Sequence, residues 1–112
     1  MITRKLTDAA VMPTAHNVDA RNLYNSPEAV ITVITLQPGQ ALKRHITPVD
    51  VAFYVLEGTG VVEIGDEKQT VGPDSLIDSP ARIPHCWYNE SDKPLRVLVV
   101  KVPRPTTQTR LL

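Results

Sequence analysis

Ten prolines and five glycines punctuate this 112-residue chain at short intervals. Proline removes a backbone donor and fixes φ, so no long helix or long uninterrupted strand survives such spacing. The segments between breaks are rich in β-branched residues: AVITVITL over 29–36, VVEIG over 61–65 and LRVLVVKV over 95–102. Short β-prone runs bounded by turn residues, with no helical periodicity of comparable strength, specify an all-β sandwich or barrel. The length suits one domain with one core.

The chain divides into an N-terminal arm over 1–28, a barrel over 29–102 and a C-terminal tail over 103–112. In the arm, residues 19–24 read as a short helical turn ended by Asn25-Ser26-Pro27, and His16 is expected in solvent, the alternative being that it folds over the barrel mouth as a stray ligand. Within the barrel, Gln37-Pro38-Gly39-Gln40 turns the chain and Gly65-Asp66 closes a hairpin. Val71-Gly72-Pro73-Asp74 makes a further turn before a short strand over 75–78, and 89–94 is a polar loop. The tail, with its prolines and threonines, is expected to run extended over a surface or to be disordered. Strands 29–36 and 95–102 are apolar on both faces, which predicts a homodimer in which they help cover each other across a twofold axis.

Alternation of side chains along a strand sorts the residues that can share an interior. His45, Thr47, Val51, Phe53 and Val55 have one parity, while Asp50, Ala52, Tyr54 and Leu56 take the other. Further on, Ile83, His85, Trp87 and Asn89 fall together, opposite Pro84, Cys86 and Tyr88. A histidine in a strand is ordinarily a packed or hydrogen-bonded residue. Two of them, each beside large apolar residues, would on neighbouring strands share one pocket of the composition that small molecules and metals use.

The spacing Gly39-x5-His45-x-Thr47-x3-Val51-x6-Gly58, followed by Asp74-x5-Pro80-x-Arg82-x2-His85-x3-Asn89, resembles the two motifs of the cupin superfamily. The resemblance implies an antiparallel double-stranded β-helix, or jelly-roll barrel, of the small single-domain kind. In that family, two histidines and a glutamate of the first motif and the histidine of the second bind one divalent first-row metal (Fe, Mn, Ni, Cu or Zn). Carried over by position, His45 and His85 are metal ligands, Thr47 stands for the second histidine and Val51 for the glutamate. Thr47, Val51, Phe53, Arg82 and Trp87 are the expected pocket residues, with Arg82 at the rim as a partner for a carboxylate or phosphate, or in a surface ion pair. Asp74 and Arg82 replace motif glycines. Catalytic zinc keeps three protein ligands, and non-haem iron sites use two histidines with a carboxylate. Further coordination would then come from water, substrate, or Glu63 or Asp78 turned inward. Asp50 should point away, and Cys86, opposite His85 on the pleat, reads as a small buried hydrophobe.

Charge narrows the partners. Twelve basic and twelve acidic side chains cancel, giving no broad field for nucleic acid or an anionic membrane. No apolar stretch is long enough for a membrane span, and the first residues lack a signal-peptide core, so a cytoplasmic location is expected. A single cysteine allows no internal disulfide. Phosphate loops, C-x-x-C pairs and Ser-His-Asp constellations do not occur as recognisable motifs. Three readings follow: a metal-dependent enzyme of oxygenase, isomerase or lyase type; a metal-free module binding a small molecule; and a non-catalytic structural or interaction protein.

Overall fold

A computed structural model describes all 112 residues. Its strands are β1 (Asp19–Asn25), β2 (Val30–Leu36), β3 (Ala41–Ile46), β4 (Val51–Glu57), β5 (Gly60–Ile64), β6 (Glu67–Val71), β7 (Leu76–Ser79), β8 (His85–Tyr88), β9 (Leu95–Lys101) and β10 (Arg110–Leu111). They form two five-stranded antiparallel sheets, ordered β1-β2-β9-β4-β7 and β10-β3-β8-β5-β6. The only helix is a single 3-10 turn at Leu6–Asp8, and no helix is long and apolar enough to cross a membrane.

Alternation decides what lies between the sheets. In β4 the odd residues Val51, Phe53 and Val55 are buried, and in β9 Leu95, Val97 and Val99 repeat the pattern. With Leu36, Val62, Val71 and Trp87 they form the core. Phe53 and Trp87 pack edge to face, with ring centroids 5.4 Å apart. Asn89 closes this end by donating to the carbonyls of Leu36 and Lys93, while its Oδ1 accepts from the Ser91 backbone N–H and hydroxyl.

The two motif positions without glycine keep the glycine conformation. Asp74 has φ 65° and Arg82 has φ 66°, a region that costs a side-chain-bearing residue about 1–3 kcal/mol. Both turns are pinned by the backbone, Asp74 N–H donating to Val55 O at 2.9 Å and Arg82 N–H to Thr47 O at 2.9 Å. Asp74 also accepts the Tyr54 hydroxyl at 2.7 Å. Gly58 is irreplaceable on two counts, since it has positive φ and a Cβ there would run into the Pro94 carbonyl.

Three expectations are corrected. Residues 19–24 are not a helical turn but most of β1, which pairs with the edge of β2; Ala20 packs inward and Asn22 accepts the Thr32 hydroxyl at 2.7 Å. An open strand edge outweighs the weak helical preference of that segment. The short strand expected over 75–78 is shifted to Leu76–Ser79. Ile83, assigned inward by parity, is exposed because strand geometry begins only at His85. Residues 110–111 of the tail pair with β3, Arg110 facing Ile46 and Leu111 facing His45.

Candidate functional site: a histidine-walled barrel pocket

One end of the barrel is hollow. A cavity of about 270 Å³ lies between the sheets, walled by Leu42, Val51, Phe53 and Val99 and by the polar groups described next. His45 on β3 and His85 on β8 are direct cross-strand partners, with ring centroids 4.4 Å apart and planes inclined at 69°. The two imidazoles therefore converge because the first and second motif strands are neighbours, as their shared parity with Phe53 requires.

Each ring is held by the surrounding chain. His45 Nδ1 lies 2.6 Å from the Lys43 carbonyl, which can only accept, so Nδ1 carries the proton and Nε2 keeps its lone pair in the neutral ring. His85 is gripped at both nitrogens, Nδ1 by the Ser79 hydroxyl at 2.6 Å and Nε2 by the Thr47 hydroxyl at 3.2 Å. A third imidazole joins them: His16 stacks edge-on against His45 at 4.7 Å, and its Nδ1 accepts the Lys43 backbone N–H at 2.8 Å. That acceptor role places the neutral ring's proton on Nε2. His16 is thus a half-buried part of the wall rather than a solvent-exposed residue, because the arm folds across the barrel mouth.

The titratable groups of the pocket are all basic. Lys101 lines it along with the three histidines, and no aspartate or glutamate does. Burial, then the neighbouring His45, Lys101 and His16, lowers His85 to about 3. Burial and the charges of His45, Lys43 and Lys101 lower His16 to about 4. His45 is lowered too, chiefly by burial, with the Lys43 carbonyl opposing the shift. All three imidazoles are neutral at physiological pH, each with one nitrogen that accepts and one N–H that donates. Burial also lowers Lys101, whose ammonium has no hydrogen-bonding or ion-pairing partner within the chain.

The donor set does not fit a resident divalent metal. No group of three or more His, Cys, Asp or Glu side chains converges with metal-binding geometry; His16 has its unprotonated Nδ1 taken by the Lys43 N–H, and the His45–His85 pair falls short of the three protein ligands usual in open sites. The carboxylates considered for the missing positions face elsewhere. Glu63 accepts from Tyr88 at 2.7 Å and from Cys86 at 3.0 Å on the outer side of its sheet. Asp78 is exposed, and Asp50 accepts the Ala81 N–H at 2.8 Å. The Nε2 atom of His85 already faces Thr47, and Lys101 introduces a positive charge where a metal would need a negative one.

Of the residues expected in the pocket, Thr47, Val51 and Phe53 line it beside His45 and His85. Trp87 does not: it is fully buried behind Phe53, in the packed end, with its indole N–H unpartnered. Arg82 is outside as well, because its left-handed turn directs an exposed side chain away from the barrel interior, and it forms no ion pair. Sequence reasoning missed Ser79, Lys101, His16 and Thr109. Lys101 had a usable signal, since it continues the inward series Leu95, Val97, Val99. His16 and Thr109 had none, as both reach the pocket only when the chain ends fold over it.

Comparison with known proteins agrees with this architecture. The sequence matches the Cupin domain family over residues 32–101, and the chain belongs to that family. A crystal structure of the protein TT1209 from Thermus thermophilus is 33% identical, with TM-score 0.80 over 94% of this chain and 100% of that one. The polyketide cyclase RemF of Streptomyces resistomycificus superposes with TM-score 0.85 at 23% identity, covering 100% of this chain and 86% of RemF, a likeness of fold. An uncharacterized protein of Methanocaldococcus jannaschii is 32% identical over 62 residues, 55% of this chain and 49% of that protein. The match therefore spans about half the length of that curated relative.

Proposed function

We propose that this cupin binds a small organic molecule in the barrel pocket, addressing it through the neutral imidazoles of His45 and His85 without a resident divalent metal. The observation that carries this reading is the direct pairing of His45 with His85 on the wall of a cavity that also presents Phe53, aliphatic groups, threonine hydroxyls, His16 and Lys101. At about 270 Å³ the cavity is slightly smaller than the ~300–1,000 Å³ usual for ligand pockets, so its occupant is compact. His45 is the acceptor: its Nδ1–H bond to Lys43 fixes the tautomer and leaves Nε2 free to take a hydrogen bond or a proton. His85, held between Ser79 and Thr47, orients the wall.

A fragment titration followed by the ring resonances of ¹³C-labelled histidine tests the proposal. Compact aromatic and short-chain fragments should shift the His45 and His85 signals together, and His45→Ala should abolish the response. Fragments that bind only at the outer surface, or shifts that survive His45→Ala, would contradict it. The metal-dependent reading, with Fe, Mn, Ni, Cu or Zn on His45 and His85, requires the same resonances to move or broaden on addition of one equivalent of metal salt.

A further inference from the structure

Resting on that reading of the pocket, we infer that the molecule it takes is a small organic carboxylate, with its charged end against Lys101 and its apolar body on Phe53 and Val51. The strand pattern makes Lys101 unusual: Leu95, Val97 and Val99 fill the core at the preceding inward positions, and Lys101 takes the next one. Half-buried, Lys101 therefore lines the open cavity and has no hydrogen-bonding or ion-pairing partner within the chain. A partly desolvated charge without a counter-ion is unfavourable, and every other titratable group on the cavity wall is an imidazole. The deficit is one negative charge.

The neighbouring groups have the polarity to receive that charge. His16, with Nδ1 occupied by the Lys43 N–H, has its Nε2 hydrogen left to donate. Thr14 Oγ1 accepts the His16 backbone N–H at 3.1 Å, so its own hydroxyl hydrogen is free. Lysine ammonium, imidazole N–H and hydroxyl are all donors, and together they match a carboxylate's acceptor oxygens. Val51, the direct cross-strand partner of Lys101, and Phe53 further along the same strand offer only hydrocarbon, as does Leu42 on the facing sheet, which selects an acid with an apolar body over an inorganic anion.

Benzoate and its neutral isostere benzamide separate this inference from the reading beneath it. Calorimetric titration should give one benzoate per chain, with benzamide at least about tenfold weaker. Lys101→Met, which keeps the aliphatic stem, should weaken benzoate about 10- to 100-fold, as expected for loss of one charge-assisted hydrogen bond, and leave benzamide unchanged; Lys101→Arg should retain benzoate. In the unaltered protein, iodide should compete with benzoate and not with benzamide, a result that needs no variant to fold. Equal binding of the two isosteres, or benzoate affinity indifferent to Lys101→Met, would overturn the carboxylate assignment and leave the pocket standing. Binding of neither, with histidine resonances unmoved, would overturn both.

Discussion

The two ends of the barrel are built from the same strands with the same inward parity, yet one is packed solid and the other is hollow. Along β9 the inward residues run Leu95, Val97, Val99, Lys101; along β8 and the residue after it they run His85, Trp87, Asn89. At the packed end Trp87, Leu95 and Val55 are all but inaccessible, and Gly60 exists to let Leu95 and Trp87 close over it. At the hollow end the same positions carry His85, Thr47 and Lys101, whose polar groups need partners and cannot fill space. Stability is concentrated where the side chains are hydrocarbon, and the capacity to bind is concentrated where they are not.

Truncation of the packed end should do the most damage. Trp87→Ala should cost about 3–5 kcal/mol of stability in urea unfolding, the range for deleting a fully buried large aromatic, while His45→Ala at the hollow end should cost far less. Comparable losses at the two positions would erase the contrast. Acid should act next, from about pH 6.5 downward through the hollow end. His85 titrates near 3 in the folded chain against about 6.5 when unfolded, so below pH 6.5 the unfolded chain holds more protons and stability falls with falling pH until about pH 3. The slope from His85 alone approaches about 1.4 kcal/mol per pH unit, and His85→Phe should flatten it. A stability profile that is level between about pH 6.5 and 4 would contradict the burial of the imidazoles.

A smaller gain is expected at the turn bearing Arg82. Arg82→Gly should raise stability by about 1 kcal/mol, relief of left-handed strain exceeding the entropy glycine adds to the unfolded chain; a loss would mean that the turn is not strained. The smallest effect on the fold concerns assembly. The outward residues Ile31, Leu98 and Val100 of the first sheet are only partly buried, and Arg21, which donates to the Leu6 and Ala9 carbonyls, lies beside Val33 and covers part of that face. We propose that a second copy covers the rest. Sedimentation should report a dimer of the 12.4 kDa chain, and Leu98→Glu should yield monomer with stability changed by no more than about 0.5 kcal/mol.

Much of this was legible in the residues themselves. Turn-forming glycines and prolines marked the strand ends, and parity alone grouped His45, Thr47, Val51 and Phe53 on the interior face, since a buried face fixes the register of a strand. The carboxylates fell outside the pocket for the same reason: Glu63 shares a pleat face with Cys86 and Tyr88, not with the histidines. The contributions of residues 1–28 and 103–112 were not legible. His16 and Thr109 reach the cavity through tertiary docking of segments with no strong local pattern, so their place depends on which strand edges the barrel leaves open. Arg82 shows a different failure: the motif located the turn correctly, and the left-handed backbone then sent the side chain the other way.

The absence of a resident metal is the claim on which the chemistry of the pocket turns, and elemental analysis of tag-free protein purified without chelator tests it directly. The account predicts no stoichiometric first-row metal in the unaltered protein, and none acquired after incubation with manganese, iron, nickel, copper or zinc salts and desalting. One metal ion per chain, lost in both His45→Ala and His85→Ala, would contradict it.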